Sequence, residues 1–184
     1  EFVDVDISIR GYLNEILNSF KEISTKNFIF NFDQDSNSKK IVKSIEIVYG
    51  LRNFIGNANK FSDDNVFINL KSDSEFTEIS IEDDGPGYPK DILSKIGEPY
   101  LKSNYPQDKS KTGLGLGLFI GKTLLEKNFA SVICRNSKTR SGAEVIIKWR
   151  NKDLFNIQWN FFFVSNKELS WDIITSPSSF TSVI

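Results

Sequence analysis

The sequence predicts an α+β domain, a two-layer α/β sandwich with helices packed on one face of a mixed sheet. Three observations lead there. Short segments rich in β-branched and aromatic residues have the length and alternation of half-buried strands. Other segments repeat apolar residues at helical spacing. Along the chain these run strand, helix, strand, helix, two strands, loop, helix, two strands.

Val3-Asp4-Val5-Asp6-Ile7 alternates apolar and polar residues and predicts the first strand. Ser8 is suited to cap the helix that follows, on which Tyr12, Leu13, Ile16, Leu17 and Phe20 share a face. Phe28 to Phe32 is a short aromatic strand, and Asp33 to Lys40 a polar turn or loop. From Ile41 to Phe61 the period is helical again. Val66–Leu70 and Phe76–Ile81 form a strand pair joined by the turn Ser72-Asp73-Ser74-Glu75. A long irregular stretch from Asp84 to Lys111 carries glycine and proline, and an unstructured loop of that length in a compact domain is usually functional. A helix is predicted over Leu116–Lys127, then strands over Ala130–Arg135 and Ala143–Trp149.

Composition narrows the function classes. A length of 184 residues suits one domain with a short extension, taken as 1–150 and 151–184. The net charge of -1 gives no electrostatic case for binding nucleic acid or an anionic membrane. The single cysteine, Cys134, excludes an internal disulfide framework and is expected in the core. The absence of histidine removes imidazole catalysis, the common zinc sites and a Ser-His-Asp triad together. With no methionine, the chain is expected to be a piece of a longer polypeptide. No apolar run approaches the ~20 residues of a membrane helix.

Three clusters can carry chemistry. On the second helix, Asn53, Asn57 and Lys60 fall opposite the apolar face of Ile47, Val48, Leu51, Phe54, Ile55 and Ala58. Stacked asparagines cost a helix roughly 0.5 kcal/mol or more each against alanine. Amide oxygens suit magnesium and a lysine suits phosphate; a solvated polar face is the plainer alternative. Asp83, closing a strand before Gly85-x-Gly87, can accept a hydrogen bond from an exocyclic amine, while the glycines admit a flat ring. An Asp-Gly turn is the alternative there. Gly113-Leu114-Gly115-Leu116-Gly117 opens a helix whose N–H groups and dipole can cradle phosphate, or it is a glycine-rich connection with packing leucines. It fits neither the P-loop nor the dinucleotide fingerprint.

Together and in this order the clusters resemble the ATP-binding catalytic domain of sensor histidine kinases. Asn53-x-x-x-Asn57-Ala58-x-Lys60-Phe61 is similar to the N box, Asp83-x-Gly85-x-Gly87 to the G1 box and Gly113-x-Gly115-x-Gly117 to the G2 box. Gly97-Glu98-Pro99-Tyr100 stands where the F box belongs, with Tyr100 in place of phenylalanine. The resemblance covers roughly residues 1–150 and looks most like the RegB/PrrB redox-responsive sensors. Asn128-Phe129 departs from a frequent His-Gly, and Asp84 from a frequent asparagine.

The resemblance implies the Bergerat ATP-binding fold. It implies Asn57 as a Mg²⁺ ligand assisted by Asn53, Lys60 on a phosphate and Phe61 packed on the nucleotide. Asp83 would bind the adenine amine, and Gly85 and Gly87 would shape its pocket. Gly113 to Gly117, with Leu114, Gly115 and Leu116 between, would hold the phosphates and hinge a lid, where Lys102 adds a phosphate contact. The cofactors implied are ATP and Mg²⁺. The partners implied are a dimerisation and histidine-phosphotransfer domain of the parent and a response regulator. The domain is expected to be cytoplasmic; a parent anchored in the inner membrane stays open. The competing reading is a catalytically silent nucleotide-binding or partner-binding module. Hydrolysis to water, as in gyrase-type or MutL-type relatives, would want glutamate at Asn53. The tail 151–184 does not resemble the family. An added hairpin, a cover for an apolar face or a partner site, and sequence acquired past a displaced stop codon all stay open.

Overall fold

The structure, a computed structural model, describes residues 7–34, 40–41, 44–93, 95–96, 98 and 116–154. Within these, β1 is Ile7–Ser8, α1 Ile9–Lys21, β2 Asn27–Phe32 and β3 Lys40–Ile41. Then follow α2 Ile45–Phe61, β4 Asn65–Ser72, β5 Phe76–Asp83, the short α3 Lys90–Leu93, α4 Leu116–Lys127, β6 Ser131–Asn136 and β7 Ala143–Arg150.

Five strands make one mixed sheet in the order β2-β4-β5-β7-β6. The β2–β4 pair is parallel, with α2 in the crossover between them, and the remaining pairs are antiparallel. Burial alternates as the sequence predicts. Val66, Ile68, Leu70, Ile79, Ile81, Val145, Ile147 and Trp149 turn inward onto α1, α2 and α4. The other face carries a polar run that includes Asn69, Glu78, Ser80 and Lys148. There Glu82 is nonetheless buried, because Arg140 pairs with it at 2.6 Å and lies over the Phe67 ring at 3.8 Å.

Serine caps set two helix starts. Ser8 accepts from Gly11 N–H at 3.0 Å and begins α1 as expected. Ser44 accepts from Glu46 N–H at 3.2 Å and begins α2. The latter corrects the helix predicted from Ile41. Lys40–Ile41 instead pairs antiparallel with Ile7–Ser8, and extended Ser44 separates that strand from the helix. The predicted first strand survives as Ile7–Ser8; Val3 to Asp6 lie outside the described residues. Ser72 belongs to β4 rather than to the turn, since it still pairs with Thr77. The stretch after Asp84, predicted irregular, contains α3. The chain after β7 makes a helical turn at 151–154, whose Leu154 joins the core.

The α2–α4 seam is narrow. A Cβ on Gly50 would stand 2.6 Å from Leu125 Cγ, and one on Gly121 3.0 Å from the Phe54 ring. Past the end of α4, Asn128 donates to Glu46 Oε2 at 2.8 Å and receives the Trp149 indole N–H on its carbonyl at 2.9 Å. Phe129 then takes φ 62. This left-handed turn is a place for glycine, and Phe129 is 46% exposed.

Two stability outcomes follow, both read by urea unfolding. Gly50→Ala, which in an open helix would stabilise by about 1 kcal/mol, is expected to destabilise by about 1–3 kcal/mol because Leu125 cannot yield. Phe129→Gly is expected to stabilise by about 1 kcal/mol, since relief of the left-handed conformation outweighs little lost packing.

Candidate functional site

The last two turns of α2 organise the site. Asn53, Asn57 and Lys60 line one side of the helix and are partly exposed, while Leu51, Phe54, Ile55 and Ala58 are buried, as predicted. Val48, placed on the apolar face, is only partly buried. Asn53 steadies itself by donating to Tyr49 O at 2.8 Å. The Asn57 side chain makes no hydrogen bond and Lys60 no ion pair among the described residues; Lys60 Nζ lies 5.5 Å from the centroid of the Phe61 ring. Both are therefore available to a ligand.

The N-terminus of α4 meets this row of amides. A Cβ on Gly117 would lie 3.4 Å from Asn53 Oδ1 and 3.5 Å from Asn57 Nδ2. Three-dimensional structure thus brings together residues sixty positions apart. One end of the site offers amide groups beside a helix N-terminus, a setting that favours anions and hard cations bound with them. Leu116 also lies here; Lys102, Gly113, Leu114 and Gly115 lie outside the described residues, as do Gly97, Pro99 and Tyr100.

The other end is Asp83. Its carboxylate, 3% exposed, accepts from Gly85 N–H at 3.0 Å and Ala143 N–H at 3.2 Å, both on Oδ1. Among the described residues no cationic side chain pairs with it. Burial pushes its pKa up; the bonds from Ala143 and Gly85 pull the other way, and Asp84 and Glu82 add to the rise. Oδ2 has no protein partner among the described residues, so a donor on a ligand can still be taken. Gly85 is necessary for the geometry, because a Cβ would sit 2.1 Å from the Phe61 carbonyl oxygen. Gly87 has φ +75 and backs onto Asn136.

From Asn53 to Phe61 the helix advances about 12 Å, so the two ends suit an elongated ligand with an anionic end and an amine-bearing end. Asn53, Asn57, Lys60 and Phe61 on α2 are therefore joined to Gly117 at one end and, through Phe61, to Gly85 and Asp83 at the other.

Sequence reasoning missed three participants. Gly142 closes against Asp83 so tightly that a Cβ would stand 1.9 Å from the Asp83 carbonyl oxygen. A lone glycine in a polar hairpin gave no signal for this. Asp84, which stands where the family frequently has asparagine, accepts from the N–H groups of Asp63, Asp64 and Asn65 and from Asn65 Nδ2 at 2.8–3.1 Å. Desolvation raises its pKa, but the bonds from Asn65, Asp64 and Asp63 outweigh that and hold it below the ordinary range. It thereby fixes the turn leaving α2. Tyr88 extends the Asp83 loop, with its hydroxyl near enough to the Cys134 thiol for the two to act on each other's pKa. Cys134, expected in the core, is only partly buried against it. Burial pushes its pKa up to about 11, so it is a protonated thiol near neutrality.

The comparisons with known proteins agree with this arrangement. A family described as histidine kinase-, DNA gyrase B- and HSP90-like ATPase matches residues 43–153. The sensor histidine kinase RegB of Cereibacter sphaeroides is 36% identical over 108 residues, which are 56% of this chain and 23% of that protein. The sensor histidine kinase CssS of Bacillus subtilis is 32% identical over 89 residues, 48% of this chain and 18% of the relative. The chain thus spans less than a quarter of the length of these relatives. Among solved structures, the mycobacterial sensor histidine kinase MprB superposes with a TM-score of 0.66 at 19% identity, covering 79% of this chain and 97% of that one. Full-length ShkA in complex with AMPPNP gives a TM-score of 0.65 at 21% identity, over 78% of this chain and 30% of that one. These structural likenesses establish the two-layer fold.

Buried Asp83 makes the protein's own stability report on the site. The folded state holds the Asp83 proton more tightly than the unfolded chain does. Ionisation therefore costs stability as pH rises from the ordinary aspartate range through the folded pKa, and the cost persists above it. Asp83→Asn, whose amide oxygen can still accept from Gly85 and Ala143, is expected to be more stable than the parent at pH 7. That advantage should vanish once the pH falls below the ordinary aspartate value, as urea unfolding at neutral and acidic pH will measure.

Proposed function

The chain belongs to the family of histidine kinase-, DNA gyrase B- and HSP90-like ATPases, and from that premise we propose that it is the ATP-binding catalytic domain of a two-component sensor histidine kinase. One observation carries the reading: Gly117, at the start of α4, sits against the side chains of Asn53 and Asn57, while at the far end Asp83 is buried with no cationic partner among the described residues. The donor set fits ATP with Mg²⁺. Asn57, with Asn53 one turn away, would hold the metal, which when bound neutralises phosphate charge. Lys60 would contact a phosphate, and so would Lys102. The N–H groups of 113–117, including Gly113, Leu114, Gly115, Leu116 and Gly117, would cradle the phosphates. Asp83 would accept from the adenine amine, with Gly85 and Gly87 shaping that pocket and Phe61 packing on the nucleotide.

Phosphoryl transfer asks the protein for positioning and charge stabilisation more than for covalent participation. That agrees with a site made of amides, a lysine and a helix N-terminus. The sequence contains no histidine, so the phosphoacceptor would be supplied by a dimerisation domain elsewhere in the parent, and a response regulator would receive the phosphoryl group. No described helix is long and apolar enough to cross a membrane. The domain would work on the cytoplasmic side of a membrane-anchored parent. Domain limits of 1–150, with 151–184 as an extension, are part of the proposal.

Calorimetry on this chain is expected to show Mg²⁺-dependent ATP binding. Asp83→Asn should weaken it at least about tenfold, the scale of a hydrogen bond involving a charged group. Asn57→Ala should remove the Mg²⁺ dependence. Labelled γ-phosphate should then pass to a phosphoacceptor domain supplied in trans. No ATP affinity, or an Asp83→Asn variant indistinguishable from the parent, would sink the reading. Binding without transfer would leave a nucleotide-binding module in place of the kinase.

A further inference from the structure

Asn136 lies outside every motif, yet it fixes the path of the chain beyond Asp83. Its side-chain amide bonds the main chain of Tyr88 in both directions. Tyr88 N–H donates to Asn136 Oδ1 at 2.6 Å, and Asn136 Nδ2 donates to Tyr88 O at 3.0 Å. One amide thereby reproduces the two hydrogen bonds that paired residues exchange in an antiparallel ladder, on a loop residue that has no strand partner. Gly87 permits the approach: its φ is +75, and a Cβ there would lie 2.8 Å from Asn136 Oδ1.

Register makes the arrangement specific. Asn136 ends β6 and is paired with Ala143, the first residue of β7. Ala143 N–H is one of the two donors to Asp83. A single rung of the sheet thus holds Asp83 through one residue and Tyr88 through the other. The Tyr88 hydroxyl lies within electrostatic reach of the Cys134 thiol, two residues back along β6, and of Asp83. The tyrosine is fastened to β6 through its main chain.

We propose that Asn136 is a positioning residue of the nucleotide site, holding the main chain of Tyr88 so that this side chain walls the base end of the pocket beside Asp83. The inference rests on the ATP-binding reading above. It distinguishes the two ends of the site: Asn136 acts on the base and leaves the phosphate end at Asn53, Asn57 and Gly117 untouched. A merely structural hydrogen bond would weaken all ligands alike.

The test compares the full chain with Asn136→Ala, Tyr88→Ala and the double variant. ATP binding with Mg²⁺ is measured by calorimetry, and Mg·tripolyphosphate, which has no base, by displacement of labelled ATP. Asn136→Ala is expected to weaken ATP about tenfold, with tripolyphosphate unchanged within about twofold. Tyr88→Ala should match it, and the double variant should lose no more than either, the signature of a coupled pair. Amide exchange at Tyr88 should accelerate in Asn136→Ala while Ile79 and Ile81 stay protected, which also checks that the variant is folded. Parallel loss of both ligands, additive losses, or ATP affinity unchanged in Asn136→Ala would each overturn this inference alone. A parent chain that binds tripolyphosphate but shows no preference for ATP would overturn the nucleotide reading and this inference with it.

Discussion

The site depends on how closely α4 is allowed to lie against α2. Gly50, Gly117 and Gly121 form the seam: Cβ atoms on Gly50 and Gly121 would crowd Leu125 and Phe54, and Gly117 lies within contact distance of the Asn53 and Asn57 amides. Burial of Leu125 and Phe54 supplies the driving force, roughly 1.5–3 kcal/mol for each fully buried large side chain. The glycines convert that force into proximity, because a helix pair with side chains along the whole seam would stand farther apart. Only in the close arrangement does the helix N-terminus at Gly117 face the stacked asparagines. Apolar packing on one side of α2 thus sets the polar geometry on the other.

At the opposite end the same device works with backbone instead of side chains. Gly85 lies against the Phe61 carbonyl and Gly142 against the Asp83 carbonyl, so α2, β5 and the β6–β7 hairpin converge on one buried carboxylate. The carboxylate is satisfied on Oδ1 by two N–H donors and is left without a cation among the described residues. Burying it raises its pKa, a cost that a structure assembled for stability alone has no reason to carry. A ligand donor on Oδ2 would offset part of that cost. Asp84 next to it is the contrast. Its carboxylate is surrounded by the donors of 63–65 and has its pKa lowered, and its work is to anchor the turn that holds Phe61 in place.

What was legible in the sequence was what repeats. The two-residue alternation in β4, β5 and β7 and the helical period in α1, α2 and α4 named the elements, and α4 was bounded at Leu116 and Lys127. The N-terminal edge of α2 was not legible from period alone, because Ile41 continues the apolar pattern while its backbone pairs with Ile7. Ser44 carried the missing information as a capping residue. In the site, Asn53, Asn57, Asp83 and Gly85 stood out because their types are costly or unusual where they occur. Gly142, Asn136 and Tyr88 did not, since an isolated glycine, an asparagine at a strand end and a tyrosine before proline are all ordinary in loops. Their importance comes from register, through the rung Asn136–Ala143, and register is a property of the folded sheet.

The departures from the family pattern separate along the same line. Phe129 occupies a left-handed turn where glycine is easier, and the strain falls on a junction far in sequence from the amide row and from Asp83. Beside it, Asn128 donates from Nδ2 to Leu124 O and to Glu46 on α2, and its main-chain carbonyl accepts from Trp149 on β7. An unfavourable backbone angle is tolerated there because the neighbouring contacts over-determine the path. No such slack exists around Asp83, where a single added methyl group at Gly85 or Gly142 would meet backbone atoms closer than any side-chain shift can relieve. Sequence drift at the α4–β6 junction therefore costs stability alone, whereas at the G1 loop it would cost the geometry on which nucleotide recognition is proposed to rest.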